Sequence, residues 1–241
     1  LSIRRQRQMC IRDRIKSGRC DVVVAGGSEC LTRYHLNGFN SLKILDSEPC
    51  RPFDATRNGL NLGEGAGFVV LESEEHALNR GVAPIGALDG YGNACDAFHQ
   101  TASSDDGEGA FLAMSKALNM SGLKPGDIDY VNAHGTATPN NDASESRAMI
   151  RLFGDKIPPV SSTKAFTGHT TSAAGSIEAV ICLLAILHGF IPANLNWKEP
   201  FDGGVVPDAE GHQGVQLDHV LCNSFGFGGN DSSLLISRYG K

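Results

Sequence analysis

A lysine and a histidine stand five residues apart in VSSTKAFTGHTTSAAG, at Lys164 and His169, in a bed of Ser, Thr, Gly and Ala. A second histidine, His134, lies in NAHGTATP, and two phenylalanines, Phe225 and Phe227, lie in NSFGFGGND. The lysine and histidines are residue types of catalysis or, for histidine, of metal ligation, and all three stretches lie where a strand-like run meets a glycine-rich turn. Such turns let backbone amides and imidazoles come close to a ligand, and α/β sheets bind ligands at strand ends. Taken singly, each has an ordinary reading: a turn histidine satisfied by its own turn, a solvated lysine before a helix, a tight GFGG turn. His134, His169 and Asp142 could be offered as metal ligands, but on separate loops they lack metal-motif spacing, and no metal is expected. LGEGAG enters a strand and lacks a G-K-[ST] ending, so it is not a phosphate loop.

The elements that must position these groups alternate. CDVVVAGGSE (20–29) reads as a buried strand closed by Gly-Gly. GAGFVVLES (65–73) is a second strand, followed by a short helix that stops at glycine. PIGALDGYGNACD (84–96) is a long strand with glycines at bends. In 107–122, Phe111, Met114, Ala117 and Leu118 recur at helical spacing. IDYVNAHG (128–135) is a strand ending in a turn, and NDASESRAMIRLFG (141–154) is a helix. There Asp142 and Glu145 form a D-x-x-E pair suited to an N-cap and its reciprocal partner. An apolar helix follows His169, then a Pro/Asn-rich loop (192–214) and two closing strands in HVLCNSFGF and SSLLISRYG. Strands alternating with helices indicate an α/β fold with buried sheets.

The 241 residues, 41% hydrophobic and 20% charged, suffice for a sizeable globular core. No apolar run of about eighteen residues occurs, the length a membrane-spanning helix needs, because Glu178 interrupts the stretch from Ile177 to Leu187. Seven scattered cysteines without a C-x-x-C pair argue against a disulfide framework and point to a reducing, cytoplasmic setting. Residues 1–19 carry a net charge of +6, leaving −12 for the rest of a chain whose total is −6. A body that acidic does not suit a nucleic-acid surface. The basic head has no apolar core or small-residue cleavage site, so it is not a secretory signal.

Taken together and in order, NAHGTATPNND, SSTKAFTGH, SAAGSIE and NSFGFGGN resemble the C-terminal half of a β-ketoacyl-acyl-carrier-protein synthase of the fatty-acid type. RPFDATRNGLNLGEGAGFVVLE and DVVVAGGSE resemble the same family, so the likeness runs from about residue 15 to 241. It implies a thiolase-like, layered αβαβα fold of two similar halves. Residues 15–82 would finish the first half and 83–241 form the second. It also implies decarboxylative condensation of an acyl thioester with malonyl-carrier protein, as a homodimer, with no cofactor beyond the carrier's phosphopantetheine arm.

By this resemblance His134 and His169 receive the malonyl thioester oxygen. A neutral imidazole donates an N–H without a fixed charge, and small neighbours let the substrate reach it. Lys164 matches the family lysine. Its ammonium would disfavour protonating His169, with Glu178 balancing the lysine. Phe227, between Gly226 and Gly228, matches the residue whose N–H completes an oxyanion hole and whose ring gates the acyl pocket. Phe225 and Phe39 would line that pocket, and Thr136 and Thr138 would hold the pantetheine arm. GGNDSS departs from the usual G-G-T-N at Asn230 and Asp231, which leaves chain preference open.

The family's cysteine nucleophile precedes the DVVVAGG aspartate by about twenty residues, at a helix N-terminus that lowers a thiol pKa. Counting back from Asp21 reaches Leu1, so the nucleophile is expected to be absent from this chain. Cys10, flanked by Met9 and Ile11, fits the role poorly. Residues 1–14 look unrelated to the family, as foreign sequence joined to a shortened frame. The chain as it stands is then expected neither to condense nor to fold well alone. The competing readings are a non-catalytic, chain-length-factor type partner, which would not need both histidines and Lys164, and a coenzyme-A-dependent thiolase. The latter would want a second cysteine at the last glycine loop, where only Cys222 stands nearby.

Overall fold

A computed structural model describes residues 11–240. Cys10 and most of the basic head lie outside the described residues. Where the description begins, residues 11–16 are helical, and the head's Arg12 docks on the second half. Arg12 donates to the Leu88 and Asp89 carbonyls at 3.1 Å each, and Tyr91 donates to Asp13 at 2.7 Å.

Strand β1 (Val22–Glu29) pairs antiparallel with β2 (Gly65–Glu72), and helix α1 (Arg33–Ser41) follows β1. Helix α2 (Glu74–Asn79) leads to β3 (Gly86–Cys95) and helix α3 (Glu108–Ser121). Then come β4 (Tyr130–Asn132), α4 (Pro139–Phe153), β5 (Val160–Ser161) and the single turn α5 (Lys164–Thr167). Helix α6 (Ala174–His188), the short pair β6 (Phe190–Ile191) and β7 (His212–Gln213), and strands β8 (His219–Ser224) and β9 (Asn230–Arg238) complete the order.

Strands β3, β9, β8, β4 and β5 form one sheet in that order. The β4 strand runs parallel to both neighbours, while β8–β9 and β9–β3 are antiparallel. One face packs against α3 and α4 through Met114, Leu118, Met149 and Phe153. Helix α3 comes so close that a Cβ on Gly92 would stand 1.9 Å from the Ala113 carbonyl oxygen. The glycines of β3 therefore serve close approach. The other face packs against α6 through Ala179, Cys182 and Ile186. The opposite flank of α6 carries the β1–β2 ribbon, with Gly67 against Ile177. The described layers thus run helix, sheet, helix, sheet. On the far side of the ribbon Val24, Phe68 and Val70 are exposed. Among the described residues, no helix is long and apolar enough to cross a membrane.

Three expectations need correction. The strand read as buried over 20–29 is covered on one face only, with Val22 and Val24 exposed on the other. The strand expected over 128–135 is limited to Tyr130–Asn132, because Gly135 and Ala137 have positive φ and turn the chain. The helix expected from 141 begins two residues earlier, at Pro139 with Thr138 as N-cap. Proline is suited to that first position because its missing N–H has no partner there anyway. Asp142 and Glu145 therefore do not cap the helix. They lie buried inside it and bond to other segments.

Candidate active site

A cavity of about 440 Å³ opens where the turn after β4, the turn after α5 and the loop between β8 and β9 converge. His134, His169, Thr136, Thr138, Phe39, Phe225, Gly226 and Phe227 all line it. The two histidine rings meet edge to face with centroids 5.3 Å apart, and Phe225 lies 5.8 Å from His134. The half-exposed Phe227 stacks on Phe39 at 6.1 Å within the lining. Thr136 and Thr138 share a hydroxyl hydrogen bond of 2.8 Å. Gly228 stands behind the lining, donating its N–H to the Gln100 carbonyl at 2.8 Å.

The backbone that presents His134 is held by buried carboxylates. Glu145 accepts from the amides of His134 and Gly135 at 2.8 Å each and from Asn223 at 3.2 Å. Burial still pushes Glu145 up to about 7, against the lowering effect of those bonds. Asp142 accepts from the amides of Phe53 at 2.7 Å and Ala137 at 3.2 Å. Both of those residues have φ above +60°, a left-handed conformation that costs free energy outside glycine. Asp142 thus holds two strained residues that fold the chain under His134. Burial raises its own pKa, with Arg57 3.8 Å away acting to lower it.

Lys164 is 2% exposed. Its ammonium donates to the His134 carbonyl at 2.5 Å and ion-pairs with Glu178 on α6. The expected charge balance is present as a buried pair, and neither residue lines the cavity.

His169 is fixed at both backbone ends to the loop before β2. Its N–H donates to the Asn61 carbonyl at 2.7 Å, and Gly63 N–H donates to its carbonyl at 3.2 Å. The Thr171 amide donates to its Nδ1 at 3.2 Å. A ring nitrogen that accepts carries no proton, so the proton of the neutral ring sits on Nε2. Burial holds this imidazole far below its ordinary value, down to about 3, with the Lys164 charge second. The sequence reading credited Lys164 with keeping His169 neutral. The correction is one of rank: loss of water around the ring does more than the lysine, and the Glu29 charge acts against both.

Two contributors escaped the sequence reading. Glu29, at the end of β1, accepts from Thr171 and Ser172 in the His169 turn. Asn223 joins Glu145 to Ser233. Asp231, singled out in the sequence by its departure from G-G-T-N, is buried next to Asp96.

Among the described residues no cysteine lines the cavity. Cys50 is buried, and burial pushes its thiol up to about 11, away from nucleophilic reactivity.

Two family models match the chain: "Beta-ketoacyl synthase, N-terminal domain" over residues 9–77 and "Beta-ketoacyl synthase, C-terminal domain" over residues 85–198. The mitochondrial 3-oxoacyl-[acyl-carrier-protein] synthase of Arabidopsis thaliana is 43% identical over 238 residues, covering 92% of this chain and 51% of that protein. A solved structure described as the ishigamide ketosynthase/chain length factor matches with TM-score 0.89 and 37% identity, over 95% of this chain and 56% of that one. An acyl-carrier protein in complex with its type II polyketide ketosynthase matches with TM-score 0.88 and 30% identity, over 94% and 58%. The chain spans about half the length of the curated relatives it matches.

Proposed function

Because the chain belongs to the β-ketoacyl synthase family, we propose that its protein is a 3-oxoacyl-[acyl-carrier-protein] synthase whose cavity binds and decarboxylates a malonyl thioester. The observation that carries this reading is the pair of imidazoles at 5.3 Å in one cavity, one of them with its proton directed to Nε2. When the malonyl carboxylate leaves as carbon dioxide, the carbon–carbon bonding pair becomes an enolate, and charge gathers on the thioester oxygen. Two N–H donors fixed beforehand stabilise that oxygen without reorganising. The enolate carbon then attacks the acyl thioester carbonyl. The carbonyl pair moves to oxygen, near the Phe227 backbone, and returns as the thiolate that carried the acyl group leaves, a cysteine that the described residues at this cavity do not supply.

The buried Lys164–Glu178 pair lies behind this site and holds its backbone through the His134 carbonyl. The carrier's pantetheine arm would pass Thr136 and Thr138 at the cavity wall, and Phe227 would gate the acyl side. The carrier complex among the similar structures supports an acyl carrier protein as partner. No further cofactor takes part, and the full-length protein works as a cytoplasmic homodimer.

A second reading, a chain-length-factor type partner subunit, draws on the similar ketosynthase/chain length factor structure. One assay separates the two: release of carbon dioxide from malonyl-carrier protein by the full-length protein. His134→Ala and His169→Ala should each lower the rate by roughly 10²–10³-fold, the usual cost of one oxyanion donor. Unchanged rates in both variants would defeat the histidine assignment. No decarboxylation by the wild-type protein would favour the partner subunit.

A further inference from the structure

The turn that carries His169 contains a conformation its own sequence does not favour. Thr171 has φ of +36°, and a β-branched residue with positive φ is strained by its Cβ. Strain of this kind persists only where the surroundings over-determine it. Here they do so through one carboxylate. Glu29 accepts from the Thr171 hydroxyl, from the Ser172 amide at 3.0 Å and from the Ser172 hydroxyl at 2.6 Å. The Ser28 carbonyl, 3.1 Å from the same Ser172 hydroxyl, is a longer alternative acceptor for its one proton.

The same Thr171 supplies the amide that donates to His169 Nδ1 at 3.2 Å. Its backbone conformation aims that N–H, and the N–H decides which ring nitrogen holds the proton. We propose that Glu29 is a positioning residue: by clamping Thr171 and Ser172 it aims the Thr171 amide at His169 Nδ1 and keeps the imidazole proton on Nε2. The catalytic consequence rests on the reading of His169 as an enolate donor.

The chemistry of the clamp fits. An ionised carboxylate only accepts, so it can take all three donors at once. Burial acts to raise the Glu29 pKa, but the bonds from Ser172 and Thr171 outweigh it and hold the group at about 2. His35, 3.4 Å away, adds to the lowering. The clamp is therefore formed across the whole neutral range. It also crosses the molecule: Glu29 ends the β1–β2 ribbon, whereas the turn it grips opens α6. The ribbon thus sets the proton position of a group that belongs to the second half.

The test reads the tautomer directly. Full-length protein labelled with ¹⁵N-histidine gives long-range ¹H–¹⁵N correlations at pH 7, with His169→Gln used only to assign the signal. Wild type should show one His169 tautomer, with the proton on Nε2. Glu29→Ala should show a mixture of both tautomers and a decarboxylation rate lowered at least tenfold in kcat with little change in KM. Glu29→Gln, which keeps an acceptor oxygen, should fall between. Adding Thr171→Gly to Glu29→Ala relieves the strain and should return the signal towards the Nε2–H form.

A single Nε2–H tautomer in both Glu29 variants overturns the proposal, whatever the activity does. A mixed tautomer with undiminished decarboxylation upholds the role of Glu29 and instead removes His169 as a donor. If Glu29→Ala does not accumulate as folded protein, Glu29→Gln and the double variant decide the matter by the same signal.

Discussion

Replacing Lys164 by methionine tests whether the back of the cavity is held by a buried charge pair. Lys164 and Glu178 are 2% and 3% exposed and in direct contact. At a contact distance of about 3 Å, an effective dielectric of about 20 gives ~5 kcal/mol of attraction. Removing one partner of such a pair costs about 3–5 kcal/mol, because the other charge is left in a poorly solvated place. Lys164→Met carries a second cost that Glu178→Gln does not. It leaves the His134 carbonyl without its donor, worth about 1–3 kcal/mol for a buried acceptor.

The expected order is therefore Lys164→Met worse than Glu178→Gln, with both well beyond a surface substitution. The double variant Lys164→Met/Glu178→Leu should be less damaging than the two singles combined, by roughly 3 kcal/mol, since no lone charge remains. Urea unfolding of the full-length protein at pH 7 measures this, provided m is unchanged among the variants. Single variants within about 1 kcal/mol of wild type would mean that the pair behaves like a solvated one. An additive double variant would mean that the charges are not coupled, and either outcome would refute the reasoning.

Asp231, pushed up to about 7 by burial and then by Asp96 and Glu145, has a folded pKa above its ordinary 3.8. The folded protein then binds the extra proton, so stability is lost as pH rises from about 4 through about 7. Asp231→Asn should stabilise by on the order of a few kcal/mol at pH 8 and hardly at all near pH 4, as thermal unfolding at the two pH values would show. His169 works in the opposite sense: its folded pKa of about 3 lies below the ordinary 6.5, so folding loses stability as pH falls below 6.5. By pH 5 that loss is no more than about 2 kcal/mol, and urea midpoints of His169→Gln should fall less than wild type between pH 7 and pH 5. A Cβ at Gly63 would stand 1.9 Å from the Thr167 carbonyl oxygen beside the His169 turn. Gly63→Ala should therefore cost about 1–3 kcal/mol and lower decarboxylation, while Gly126→Ala, with open space around it, should leave both melting and rate unchanged.

What the sequence made legible was what local chemistry decides. The β-branched run before Gly26 forms β1, and Met114, Ala117 and Leu118 are buried along one face of α3. The three polar sites, far apart in the chain, meet at one cavity, because each marks a strand end or turn on the same edge of the fold. Glu178 was legible as the counter-charge of Lys164 because both lie in the segment that forms α5 and α6.

The misread residues share a physical cause. Asp142 and Glu145 have the spacing of a helix cap, but their donors are the amides of Phe53, Ala137, His134 and Gly135. A buried carboxylate needs such donors wherever the fold supplies them, and the nearest favourable ones were not those of the helix's own first turn. Glu29 and Thr171 are separated by 142 residues, so no local pattern could join them.

The same distinction explains the rank of effects at His169. A sequence shows a lysine five residues away, which suggests a pairwise charge. Only the fold shows that burial of the imidazole in the packed turn outranks the lysine, and that Glu29 acts against both. Neutrality of His169 is thus a property of the packing, with Lys164 an assistant to it. Exchange of Lys164 for methionine should consequently leave His169 neutral at pH 7, so any loss of decarboxylation in that variant must come through the displaced His134 backbone. A ¹⁵N titration of His169 in Lys164→Met distinguishes the two: a pKa still below 6 supports packing as the cause, and one above 6.5 would return the leading role to the lysine.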